Sequence, residues 1–167
     1  MQISVTTSDT GVAKVLATLQ ARVENLTPAM KIVGRLIRDS VVKNFEAGGR
    51  PKRWKPSARA MLEEGQTLRD SGRLYKSIVS KAYADRAVIG TNVIYALIHQ
   101  TGGRTPAHVI RPKTKKALFW PGARHPVGAV RHPGSNIPPR PYLLVQDEDY
   151  IEIEATLTDY IMSRGSR

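Results

Sequence analysis

From Arg86 to Gln146 the chain has no aspartate or glutamate, yet Arg104, Arg111, Lys113, Lys115, Lys116, Arg124, Arg131 and Arg140 all fall within it. Prolines at 106, 112, 121, 126 and 133 punctuate the same run. Proline removes a backbone donor and is excluded from helix interiors and central strands. Residues Arg104 to Asn136 therefore read as a long insertion; a loop this long in a compact domain is functional or disordered as a rule, and part of it is of a kind that orders only against a partner. Ala117-Leu118-Phe119-Trp120 is the part that reads as a strand. The expected form is a long basic loop that folds in part as a β-hairpin arm.

The core must come from the flanking segments. Val12, Val15, Leu16, Leu19, Val23 and Leu26 recur at helical spacing. Thr27-Pro28 restarts the chain, with Thr27 as a cap and proline in the first turn. Met30, Val33, Ile37, Val41 and Phe45 make the apolar stripe of a second helix, which Gly48-Gly49 ends. Ile3 to Thr7 alternates as a short strand does. Tyr75–Tyr83 and Ala87–Thr91 read as strands joined by a turn at Asp85-Arg86. Ala58 to Gly65 and Val93 to Gln100 suit short helices. Acidic Asp147, Glu148 and Asp149 open a last helix that carries Tyr150, Ile153, Leu157, Tyr160 and Ile161. Arg164, Ser166 and Arg167 form a basic end.

With 167 residues the chain suits a single domain, with 104–136 as an extended basic insertion. No apolar run is long enough to span a bilayer, and Met1 to Val5 lacks the character of a signal peptide. Zero cysteines exclude disulfides and thiolate metal sites, and are compatible with a reducing compartment. The net charge of +12 attracts polyanions or an acidic protein face, or else keeps a loop solvated.

No catalytic, cofactor or metal residues are expected. His99, His108, His125 and His132 lack a zinc-site spacing and stand among cations. Ser71 lacks a nucleophile-elbow context, and no phosphate-binding glycine loop is present. Arg111 to Arg131 interleaves cations with Phe119 and Trp120, which suits phosphate neutralisation and base stacking, although no nucleic-acid-binding motif is present.

Four short segments carry a resemblance: Trp54-Lys55-Pro56, Leu68 through Ile78, Tyr95 through Gly103, and Pro138 through Leu143. In this order they resemble the phage virion morphogenesis family of Mu-like and P2-like tail completion proteins, over about residues 28 to 161. The resemblance implies an α+β fold with a small antiparallel β-sheet packed by N-terminal helices and a C-terminal helix. It implies a non-enzymatic structural protein of the neck or tail end, which completes the tail or joins it to the head. It implies a ring, most simply a hexamer, assembled in the bacterial host cytoplasm and carried in the virion. The implied partners are other copies, neighbouring neck and tail proteins, and DNA passing through a central channel, with no membrane. The alternative is a basic nucleic-acid-binding protein without sequence specificity.

Arg104, Arg111, Lys113, Lys115, Lys116, Phe119, Trp120, Arg124 and Arg131 are the expected partner-binding residues. Trp54, Asp70, Gly72, His99, Gln100, Gly102, Gly103 and Arg140 are expected to be structural. Trp54 is read as a packing anchor, Asp70 as a turn cap, and His99 with Gln100 as a polar pair. The three glycines are assigned to backbone conformations closed to other residues. Arg140 either pairs with an acid such as Asp70 or reaches across an interface.

Overall fold

The computed structural model describes residues 10–120 and 122–163. The strand expected over Ile3–Thr7 and the basic end at Arg164, Ser166 and Arg167 lie outside the described residues. The described residues fall into two units, one of 10–93 with 142–163 and one within 94–141. The α+β class holds, and the strands pair in three two-stranded antiparallel ladders. No helix among the described residues is long and apolar enough to cross a membrane.

The first unit is built on two helices, α1 (Thr10–Glu24) and α2 (Thr27–Ala47). The break between them falls at Asn25-Leu26. Asn25, not Thr27, supplies the side-chain acceptor, its Oδ1 receiving the Thr27 amide at 3.1 Å. The physical reason is placement: Thr27 already has helical backbone, so its hydroxyl is one position late for capping. The Leu26 amide donates to the Ala84 carbonyl at 3.0 Å. At its far end α2 stops where Gly48 turns left-handed, and the Gly49 amide returns to the Asn44 carbonyl at 2.8 Å.

Val33, Ile37, Val41 and Phe45 recur every four residues on α2 and are all buried. Helix α2 packs against the hairpin of β1 (Val79–Ala82) and β2 (Ala87–Gly90), and against the closing helix α6 (Asp147–Met162). The hairpin pairs Val79 with Gly90 through Ala82 with Ala87, and the Tyr83 amide to the Arg86 carbonyl closes its turn. Phe45 centres an aromatic cluster, with Trp54 edge-on at 5.7 Å, Tyr75 edge-on at 5.8 Å and Tyr142 tilted at 5.1 Å. Burying a ring of this size stabilises by about 1.5–3 kcal/mol, and each aromatic pairing adds to that.

A buried polar clasp joins α2 to the start of α6. Asp149 Oδ2 accepts from the Ser40 hydroxyl at 2.7 Å and from the Gln146 amide at 2.8 Å. Asn44 Nδ2 donates to the Tyr142 carbonyl at 3.0 Å. Arg50 donates to Asn44 Oδ1, to the Ser40 hydroxyl and to the Ser40 carbonyl. The same Arg50 pairs with Glu148 at 3.1 Å. Buried polar groups are tolerated when satisfied in this way.

At the other end of α6, Arg22 of α1 donates to the Ile161 carbonyl at 2.9 Å and also reaches the Ser163 carbonyl. The Tyr160 hydroxyl donates to the Asn25 carbonyl at 2.9 Å. The short helices α3 (Ala58–Leu62) and α4 (Arg73–Lys76) complete the unit.

The second unit contains α5 (Ala96–Thr101) and the strands β3 (Gly103–Arg104), β4 (His108–Ile110), β5 (Val130–His132) and β6 (Asn136–Ile137). β3 pairs with β6 and β4 with β5.

Candidate functional site

The two ladders of the second unit are one hairpin. Gly103 faces Ile137 and Arg104 faces Asn136, while His108 faces His132, Val109 faces Arg131 and Ile110 faces Val130. Each step forward on one strand is one step back on the other across both ladders, so the two share one register. Between the ladders Thr105 and Ser135 continue the pairing, the Thr105 amide donating to the Ser135 carbonyl at 2.9 Å and the Ser135 amide to Thr105 Oγ1 at 2.8 Å. Between the two ladders strand structure lapses over 105–107 and 133–135, the stretches that contain Pro106 and Pro133, which lack a donor.

Beyond Ile110 and Val130 the regular pairing stops. One further bridge forms, Leu118 with Val127, with amide–carbonyl bonds of 2.8 and 3.0 Å in both directions. The strand expected over Ala117–Trp120 is thus reduced to this single bridge. The strands form instead at His108–Ile110 and Val130–His132, because the register is set from the base of the arm rather than from its most apolar run.

The base is fixed by close backbone approach. Gly102 has φ 73, and a Cβ there would lie 2.8 Å from the Pro139 nitrogen. The Arg140 amide donates to the His99 carbonyl at 2.8 Å, tying the return strand to α5. Gly134 has φ 88, and a Cβ there would collide with the Thr105 carbonyl oxygen. Gly103 differs from expectation. Its backbone is not left-handed, and what it needs is space, since a Cβ would stand 3.2 Å from Ile98 Cγ1.

The arm has little core of its own. His108, Val109 and Ile110 are all exposed, as are Arg104, Arg111, Lys113, Lys115, Lys116, Arg124 and Arg131. Phe119 is 66% exposed and Trp120 46%. The sequence-predicted partner-binding residues are therefore all on the surface of the second unit. His108 and His132 stack across the strands at 5.1 Å. The His108 Nδ1 lies 3.1 Å from the Pro106 carbonyl, and His132 Nδ1 accepts the Gly134 amide at 3.0 Å. No group of three or more potential metal-ligating side chains occurs among the described residues.

The residues expected to be structural are placed as follows. Trp54 is buried against Phe45. Gly72 is the residue before α4. Asp70 does not cap that turn; its carboxylate lies 3.7 Å from Arg59 Nη1, and Ser71 Oγ accepts the Arg73 amide at 3.4 Å instead. His99 and Gln100 lie on α5, with His99 edge-on to Tyr95 at 5.8 Å. The His99 Nδ1 is buried with no hydrogen-bond partner among the described residues. Burial, and after it the positive charge of Arg140, holds the His99 pKa below its ordinary 6.5. Arg140 is 5% exposed, and burial lowers its pKa as well.

Sequence reasoning missed Gly134, Val109 and Ile110, although Pro133-Gly134-Ser135 is itself a turn signal. It also missed the outer face of α6. There Ile151 is 71% and Met162 69% exposed, with Asp147, Glu148, Glu152, Glu154 and Asp159 all on the surface.

The family described as Phage virion morphogenesis family matches residues 7–162. The "Mu-like prophage FluMu G protein 2" of Haemophilus influenzae is 31% identical over 133 residues, covering 80% of this chain and 76% of that protein. No solved structure matches the chain significantly.

Proposed function

Because the chain belongs to the phage virion morphogenesis family, we propose that this morphogenesis protein is a structural component of the neck or head-proximal tail end. It completes the tail or joins it to the head, as one subunit of a ring.

The observation that carries this reading is the hairpin arm. A β-hairpin whose strands bury little of their own surface is marginal in water, and exposed apolar residues in numbers mark surfaces made to be covered. Here such a hairpin places exposed Phe119 and Trp120 among cations, with no acid anywhere in the unit. An arm of this kind enlarges the area a small subunit can bury against neighbours. Arg104, Arg111, Lys113, Lys115, Lys116, Arg124 and Arg131 are assigned to those contacts, with Phe119 and Trp120 as the apolar anchors.

A second reading is favoured by the same two aromatic rings. Exposed aromatics between cations also suit unspecific stacking on nucleic acid, including DNA in a central channel. Phage particles made without this protein separate the two. The structural role predicts DNA-filled heads and free tails that fail to join, restored by supplying the chain. Normally joined particles with altered DNA content would overturn it in favour of the second reading.

A further inference from the structure

The chain separates its charges. α6 contains no lysine or arginine between Asp147 and Met162, whereas the arm contains no acid at all. With 3.6 residues per turn, Ile151, Ala155, Thr158 and Met162 fall in one line along α6, and all four are exposed. Glu148, Glu152 and Asp159 flank this line on one side, and Asp147 and Glu154 on the other. Glu148 is paired with Arg50 within the unit. The result is a largely apolar stripe rimmed by carboxylates. The outer part of the arm is its inverse, two exposed aromatic rings with exposed Lys115, Lys116 and Arg124 within five residues of them in the chain.

We infer that the arm tip of one copy docks on the outer face of α6 of a second copy. Phe119 and Trp120 lie on the stripe of Ile151 and Met162, and the two rims pair. A nucleic acid would account for the cations and rings, but it leaves the acid-rimmed stripe of α6 uncovered. A second copy covers both surfaces at once. Arm against arm sets cation on cation, and α6 against α6 sets acid on acid, so like surfaces repel. Only the unlike pairing remains, and repeated from copy to copy it generates a ring when the rotation closes. The inference deepens the ring reading and rests on it for that closure, but the contact itself is tested separately.

Two charge-reversed proteins provide the test. One carries Lys113→Glu, Lys115→Glu and Lys116→Glu; the other carries Glu152→Lys, Glu154→Lys and Asp159→Lys, which spare the buried Asp149 and the acidic first turn. Self-association is followed by sedimentation equilibrium at low ionic strength, with circular dichroism showing that each variant keeps its helices. Each variant alone should associate at least about tenfold more weakly than wild type. Mixed together they should reassemble, because every arm then meets an α6 of opposite sign. Assembly that stops at a reciprocal dimer would keep the contact and sink the ring. Three results overturn the contact. These are single variants that associate like wild type, a mixture that stays apart, or a wild-type chain that is monomeric throughout. Loss of retention on a DNA column by the arm variant, with its self-association unchanged, would also overturn it in favour of nucleic acid.

Discussion

The Ser40 hydroxyl and the Asp149 carboxylate meet at 2.7 Å inside the first unit, although they are 109 residues apart in the chain. Asp149 also accepts the Gln146 amide, so one carboxylate both caps α6 and fastens it to α2. In chain order the arm-bearing unit is inserted between the two helices that this clasp joins.

Asp149→Ala should cost about 2–4 kcal/mol, because it leaves the Ser40 hydroxyl and the Gln146 amide without their acceptor. Asp149→Asn should cost less, since its amide oxygen can still accept one of them. Chemical denaturation measures both, and equal stability of the alanine variant and wild type would contradict the clasp.

Phe45→Ala should be at least as severe, at about 3–5 kcal/mol. Phe45 is the ring that Trp54, Tyr75 and Tyr142 all pack against. Trp54 fluorescence should shift to the red in the variant as the indole loses its apolar wall. An unshifted spectrum at full stability would show that the cluster does not depend on Phe45.

The arm has its own weak point. Gly134→Ala places a methyl group against the Thr105 carbonyl oxygen at a left-handed backbone position. The expected cost is on the order of 1–3 kcal/mol, concentrated at the base of the hairpin. Hydrogen exchange at Gly103, Arg104, Asn136 and Ile137 should quicken, while exchange along α2 stays slow. Uniform quickening, or none, would contradict the single-register hairpin.

His99 should make the fold less stable as pH drops below 6.5. Its folded pKa is held below 6.5 by burial and by Arg140. Well above 6.5 the ring is neutral in both folded and unfolded chains, and its contribution to stability is unimpaired. As pH falls below 6.5 the unfolded chain takes up a proton that the folded chain resists, so stability is lost until the folded pKa is passed. An NMR titration should place the His99 midpoint below 6.5, and His99→Gln should flatten that part of the pH–stability curve. A midpoint at or above 6.5 would contradict the burial argument.

Local pattern carried much of this fold in plain view. The four-residue recurrence of Val33, Ile37, Val41 and Phe45 gave both α2 and the face it buries. Gly48 marked its end, and the turn at Asp85-Arg86 marked the first hairpin. For α1 the same kind of periodicity indicated the helix but not its environment, since Val15, Leu16 and Val23 are exposed. A stripe shows that a helix has an apolar side, not what covers it. The clasp of Ser40, Asn44, Arg50, Gln146 and Asp149 was invisible because its members are polar and its two halves lie 96 to 109 residues apart. Such residues read as surface until a fold brings them together.

The arm was legible as an anomaly before it was legible as a structure. The absence of acids and the five prolines located it, but the strands form at His108–Ile110 and Val130–His132 rather than at the apolar Ala117–Trp120. Cross-strand register, propagated from Gly102 and Gly134, decided the pairing, and register is not a property of either strand alone. The outer face of α6 was overlooked for a related reason. Its acids read as a favourable helix start, and only the structure shows Ile151 and Met162 standing between them at the surface.

Electron cryo-microscopy of complete particles tests the central claim most directly. A closed ring of this chain is expected at the head-proximal end of the tail, each copy extending the Arg104–Asn136 arm onto a neighbour. A particle with no density for the chain at the junction of head and tail, or with the chain bound only along packaged DNA, would contradict it.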